Sequence, residues 1–142
     1  MGQCYNSTVV DAPITKVWEV MQNFHQMGWA APVITQLDKV GGIDGNQVGA
    51  KRVLNNAFHE TLVSIDEQDF TFDYSIDDGP GPIASDAVSN YVGTVKLHPV
   101  TDTGQTLVVW TSVYKSAEDQ AVGDFCNPIY QGLLGALKAN FS

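Results

Sequence analysis

The chain has 142 residues, 16 of them acidic and 7 lysine or arginine, for a formal net charge of −9. Its length fits a single domain spanning 1–142, and a hydrophobic share of 44% with 16% charged residues marks a folded globular chain. The acidic excess leaves no basic stripe to neutralise phosphates, which argues against nucleic acid and anionic membrane surfaces, and no apolar run approaches the roughly 18 residues of a membrane-spanning helix.

In chain order, Cys4 to Asp11 reads as a strand. Asp11-Ala12-Pro13 then predicts a helix start, with Asp11 as a cap and Pro13 tolerated in the first turn. Ile14, Val17, Trp18 and Met21 give that helix one apolar face. Phe24 to Ala31 reads as a second short helix, ending before Pro32. Strands are expected at Val33 to Val40, Ala50 to Leu54 and His59 to Ile65. Phe70, Phe72, Tyr74 and Ile76 alternate with Thr71, Asp73, Ser75 and Asp77, the pattern of a strand with one apolar and one wet face.

Asp77 to Asn90 is rich in Gly, Pro, Ser and Asp and reads as a long, functional loop. Tyr91 to Pro99 and Thr106 to Lys115 read as two long strands, and Ser116 to Asp119 resembles a capping box. The last helix places Val122, Phe125, Ile129, Leu133 and Leu137 on one face, with Pro128 expected to kink it near Asp124. This order predicts an α+β fold: a curved antiparallel sheet of about seven strands, two short helices after the first strand, and a long C-terminal helix over the apolar face.

Other signals are weak. The start lacks the charged-then-apolar pattern of a signal sequence, so a cytoplasmic protein is expected. Cys4 and Cys126 make no disulfide framework and read as buried free thiols. His25, His59 and His98 are scattered without metal-ligand spacing, so neither metal nor cofactor is expected. Gly41, Gly42, Gly45 and Gly49 join two strands and lack the Gly-Lys-Ser/Thr ending of a phosphate cradle.

The pieces Ala12-Pro13 through Trp18, Phe24 with Pro32, Gly45 through Gly49 to Arg52, Glu60 to Asp66, Tyr74 to Ile76, Asn90 to Thr94 and the final helix resemble, in order and spacing, the START-like helix-grip superfamily. That superfamily includes polyketide cyclase/dehydratase-like proteins, and the nearest flavour is that of plant lachrymatory-factor synthases and abscisic-acid receptors. The resemblance implies a pocket for a small hydrophobic molecule between sheet and terminal helix. It places Arg52, Glu60 and Tyr91 at the synthases' pocket positions. It puts Leu54, Tyr74, Ile76, Phe125, Ile129 and Leu133 at the inward positions of the receptors. Phe58, Leu62, Phe72 and Val109 complete the expected lining, although many relatives carry an acidic residue where Val109 stands. The receptors' mobile gate is not recognisable in Asn55 to Phe58.

Arg52 is the only arginine. If alternation turns it inward, it is either an anchor for a ligand oxygen or half of a structural ion pair with Glu60 or Asp73. Glu60, among apolar neighbours, is either a general acid/base or the counter-ion of Arg52. Tyr91 is either a hydrogen-bond donor to the ligand or a satisfied core tyrosine. The expected product is an apolar pocket of roughly a few hundred Å³, flanked by the 77–90 loop. A binding protein, a cofactor-free cyclase, dehydratase or isomerase, and a ligand-dependent receptor all fit, and the sequence is compatible with a homodimer.

Overall fold

A computed structural model describes residues 1–142. Its elements are β1 (Gly2–Val10), α1 (Ile14–Met21), β2 (Leu37–Val40), β3 (Lys51–Leu54), β4 (Phe58–Asp66), β5 (Thr71–Asp78), β6 (Val88–Pro99), β7 (Thr106–Ser116) and α2 (Asp119–Asn140). The seven strands form one antiparallel sheet in the order β1-β7-β6-β5-β4-β3-β2. The α2 helix lies across the concave face and packs chiefly along β1. This is the helix-grip architecture.

Period-two alternation decides which side chains enter the core. On β6 the inward residues are Tyr91, Gly93, Val95 and Leu97; on β7 they are Thr106, Val108, Trp110, Ser112 and Tyr114. α2 turns Val122, Cys126, Tyr130, Leu133, Leu134 and Leu137 against them. Phe125 and Ile129, expected on that face, lie at its half-buried margin. Pro128 sits inside α2 on its exposed side, and the helix continues to Asn140.

Irregularities bend the sheet around the helix. The β4–β5 register shifts between His59 and Glu60 and again between Leu62 and Ser64. The β6–β7 register shifts between Ser89 and Val92, where Asn90 adopts a left-handed φ of 54°. Such bulges increase local twist and re-aim the adjacent side chain. Tyr91 follows Asn90 directly, and its ring stacks on Tyr114 at 5.4 Å.

Several local expectations are corrected. The second helix is only a 3₁₀ turn, Gly28–Ala30. Phe24 is held elsewhere, its N–H donating to the Gly45 carbonyl and its carbonyl accepting from Arg52. The strand expected from Val33 starts only at Leu37, because the Asn55 side chain binds the preceding segment. Asn55 Oδ1 accepts from Thr35 N–H at 2.8 Å, and Asn55 Nδ2 donates to the Val33 carbonyl at 2.9 Å. Neither helix has the expected side-chain cap. Pro13 occupies the N-cap of α1, which leaves Asp11 too far upstream, and the Ser116 hydroxyl takes the Glu118 N–H in a local turn.

The expected 77–90 loop is shorter. β5 runs to Asp78 and β6 begins at Val88. Asp78 Oδ1 ties the base of the connection, accepting from Gly79 and Ser85 N–H. A 3₁₀ turn, Gly81–Ile83, drives Ile83 into the interior.

Candidate ligand-binding site

Arg52 on β3 and Glu60 on β4 are direct cross-strand partners on the inner face. They are 4% and 6% exposed, so the pair lies inside the protein. Arg52 Nε donates to Glu60 Oε1 at 2.8 Å, and Arg52 Nη2 approaches the same oxygen at 2.6 Å. Arg52 Nη1 donates to the Phe24 carbonyl at 3.0 Å. The guanidinium also lies 3.6 Å over the Phe24 ring, a cation–π contact in a water-poor setting. Asp73, the other conceivable counter-ion, is on the outer face with Ser64 and Thr94.

Glu60 Oε1 receives both guanidinium contacts, whereas Oε2 has no hydrogen-bond partner in the protein. Burial pushes the Glu60 carboxyl above the ordinary carboxylate range. The charge and hydrogen bond of Arg52 pull the other way, and Asp77 adds a smaller upward push. Glu60 is therefore a stronger base than a carboxylate in water, with one oxygen free to use it.

Beyond the ion pair lies a cluster of hydroxyls. Trp110 Nε1 donates to Tyr74 Oη at 2.8 Å, and Tyr74 and Tyr130 hydroxyls meet at 3.5 Å. The Tyr91 hydroxyl touches that of Tyr130 and donates to Ser112 Oγ at 3.1 Å. Burial raises all three phenols above their ordinary range, so each keeps its proton. Gly93 makes room for this arrangement. It faces Tyr74 across β5 and β6, and a Cβ there would collide with the Tyr74 ring.

The ion pair, Trp110 and the three tyrosines share one cavity, in which Arg52 and Glu60 are the only charged lining residues. The free volume is about 40 Å³, room for about three waters, not the few hundred Å³ expected. Aromatic side chains and Ile83 fill the difference.

Of the residues singled out from sequence, Arg52, Leu54, Phe58, Glu60, Tyr74, Ile76, Tyr91, Ile129 and Leu133 line this space. Four do not. Val109 alternates with the inward Trp110 and so faces away from α2, opposite Ser7 and Lys96. Leu62 and Phe72 point inward but beyond the cavity; Phe72 turns towards Trp18 of α1 at 6.3 Å. Phe125 stands behind Phe58, stacked at 6.4 Å, and lends it support without reaching the cavity. The lining residues that sequence reasoning missed include Met27, Ile83, Trp110, Cys126 and Tyr130. Tyr130 was legible in principle, four residues after Cys126 on one helix face.

A curved sheet gripping a terminal helix around an apolar cavity defines a helix-grip protein of the SRPBCC type. The chain belongs to the family described as polyketide cyclase / dehydrase and lipid transport, whose model matches residues 1–142. It is similar to a solved protein of Nitrosospira multiformis, at 42% identity over 99% of this chain and 96% of that one, with a TM-score of 0.95. XoxI of Bacillus cereus shares the fold at 22% identity, 99% and 96% coverage and a TM-score of 0.81. Ara h 8.0201 shares it at 17% identity, 98% and 96% coverage and a TM-score of 0.76. No curated protein sequence matches the chain.

Proposed function

We propose that this protein binds a small, largely apolar organic molecule between sheet and α2, held by Arg52 and Glu60. The observation that carries this reading is the chain's only arginine, buried with a carboxylate partner in the wall of an otherwise uncharged cavity. An ion pair kept merely for stability is a poor use of such a site, since apolar replacement of buried pairs is often neutral or stabilising. Family membership supports a ligand-binding or cyclase-like role.

A thermal-shift screen against small lipophilic acids, aldehydes and phenols tests the reading. A ligand at a hundred times its Kd adds about 2.7 kcal/mol of stability. The hit should weaken in Arg52→Lys, which keeps the charge but loses the planar fork. A hit indifferent to that change would remove Arg52 from the site.

The free Glu60 Oε2 and the raised carboxyl support a second reading, proton transfer without a cofactor. Glu60 would take a proton from the bound molecule while Arg52 steadies the developing negative charge. With a substrate in hand, Glu60→Gln should leave binding within a few-fold and abolish turnover; undiminished turnover would rule out this role.

A further inference from the structure

The two edges of the sheet are built differently. β2 closes one edge with only four residues, Leu37–Val40, and carries Asp38 and Lys39. A short, charged edge strand guards against pairing with another chain. β1 forms the other edge with nine residues, Gly2–Val10, and contains no charged side chain and no proline. It runs against β7 in unbroken register, from Gly2 opposite Tyr114 to Val10 opposite Thr106, with no bulge to turn it away. No loop, turn or helix gives a backbone hydrogen bond to Gly2–Val9. The outward N–H and C=O groups of β1 therefore have no partner within the chain.

Charge and hydrophobicity follow the same division. None of the chain's 16 acidic residues lies on β1, β6 or β7. The outer face there carries Tyr5 and Val9 on β1 and Val113 on β7, which are 64%, 37% and 42% exposed. Tyr5 lies opposite Thr111, Gln3 opposite Val113 and Val9 opposite Leu107, so these side chains flank the free edge. α2 covers only the inner side of β1, where Asn6 Nδ2 donates to Asn127 Oδ1 at 2.9 Å. A cationic partner would be drawn instead to the outer face of β5, with Asp73 and Asp77. On a chain of net charge −9, a neutral face is where a second, equally acidic copy meets least repulsion.

We propose that this face is a homodimer interface, in which the β1 edges of two copies pair antiparallel about a two-fold axis. An antiparallel edge is self-complementary under such an axis, so one edge serves both copies. Pairing centred on Asn6 uses the whole strand and sets Tyr5 opposite Ser7 of the second copy. The two seven-stranded sheets then run on as one. Because β2 is guarded, the assembly closes at two copies and does not extend into a fibre. This interface is independent of the ligand-binding reading.

Sedimentation velocity at about 100 µM, well above the micromolar end of ordinary interfaces, should give twice the monomer mass. Two charge-swapped variants, Tyr5→Lys/Ser7→Lys and Tyr5→Glu/Ser7→Glu, identify the surface, since both residues are exposed and outside the core. Each variant alone sets like charges against each other at the axis and should be monomeric. An equimolar mixture of the two should recover the dimer, which a general loss of fold would not allow. A monomeric wild type would overturn the proposal. So would a dimer that persists in both variants, or a mixture that stays monomeric.

Hydrogen exchange on the wild-type protein supplies a readout that needs no variant. On dilution to the monomer, alternate amides of β1 should lose their protection, while those bonded to β7 keep theirs. Exchange in β1 that is indifferent to concentration would sink the assignment.

Discussion

Arg52 keeps its charge at any pH the fold survives, so its surroundings must be built around it. Removing it strands a buried carboxylate. Arg52→Ala should cost about 3–5 kcal/mol at neutral pH, with part of the loss recovered in acid as Glu60 takes a proton. Denaturant unfolding at two pH values measures both effects.

Glu60 supplies the complementary test. Its folded carboxyl is raised above the 4.5 of the unfolded chain. The folded state therefore holds its proton more tightly, and stability falls as pH rises from 4.5 through the raised value. Glu60→Gln cannot titrate. The difference in stability between variant and wild type should shift in favour of the variant across that window, then level off. A shift in the opposite direction would mean that Arg52 outweighs burial.

At the scale of elements, the site depends on how two strands and one connection are held. Gly93 lets the Tyr74 ring lie over β6. Gly93→Ala should cost about 1–3 kcal/mol by forcing that ring aside, and should alter the fluorescence of Trp110, whose indole N–H binds the Tyr74 hydroxyl. Ile83 is fully buried at the tip of a short 3₁₀ turn and fills the cavity from the side of the 79–87 connection. Ile83→Ala should cost about 2–5 kcal/mol and enlarge the space left for a ligand. Titration of a one-ring phenol and of its two-ring analogue would show the larger compound gaining more.

At the scale of the whole molecule, alternation along the sheet puts one face of every strand under α2, and the bulges at Glu60, Leu62 and Tyr91 supply the curvature that leaves a space there. No helix is long and apolar enough to cross a membrane. The free volume of about 40 Å³ means that a ring-sized ligand must displace side chains, and Ile83 and Met27 are among those lining the space. A bound ligand should therefore raise Tm and slow hydrogen exchange in the 79–87 connection together.

Phe72, Tyr74 and their polar alternates announced β5, and the apolar spacing of α2 announced the terminal helix, because both rest on local periodicity. The same alternation put Arg52 and Glu60 on one face or the other, and the structure turns both inward. Period two also excludes Val109 beside an inward Trp110, once the register of β7 is known. What the sequence by itself determined was this: an antiparallel sheet, a covering helix, and two charged residues at alternating positions of adjacent strands.

The tertiary structure decided the rest. Asn55 claims the backbone of 33–36, and Arg52 claims the carbonyl of Phe24; each suppresses a local element through a partner distant in sequence. The meeting of Tyr74, Tyr91 and Tyr130 depends on three elements converging, which no local pattern encodes. Cavity size is likewise a small difference between the space under a curved sheet and the side chains that fill it, fixed only when all of them are packed.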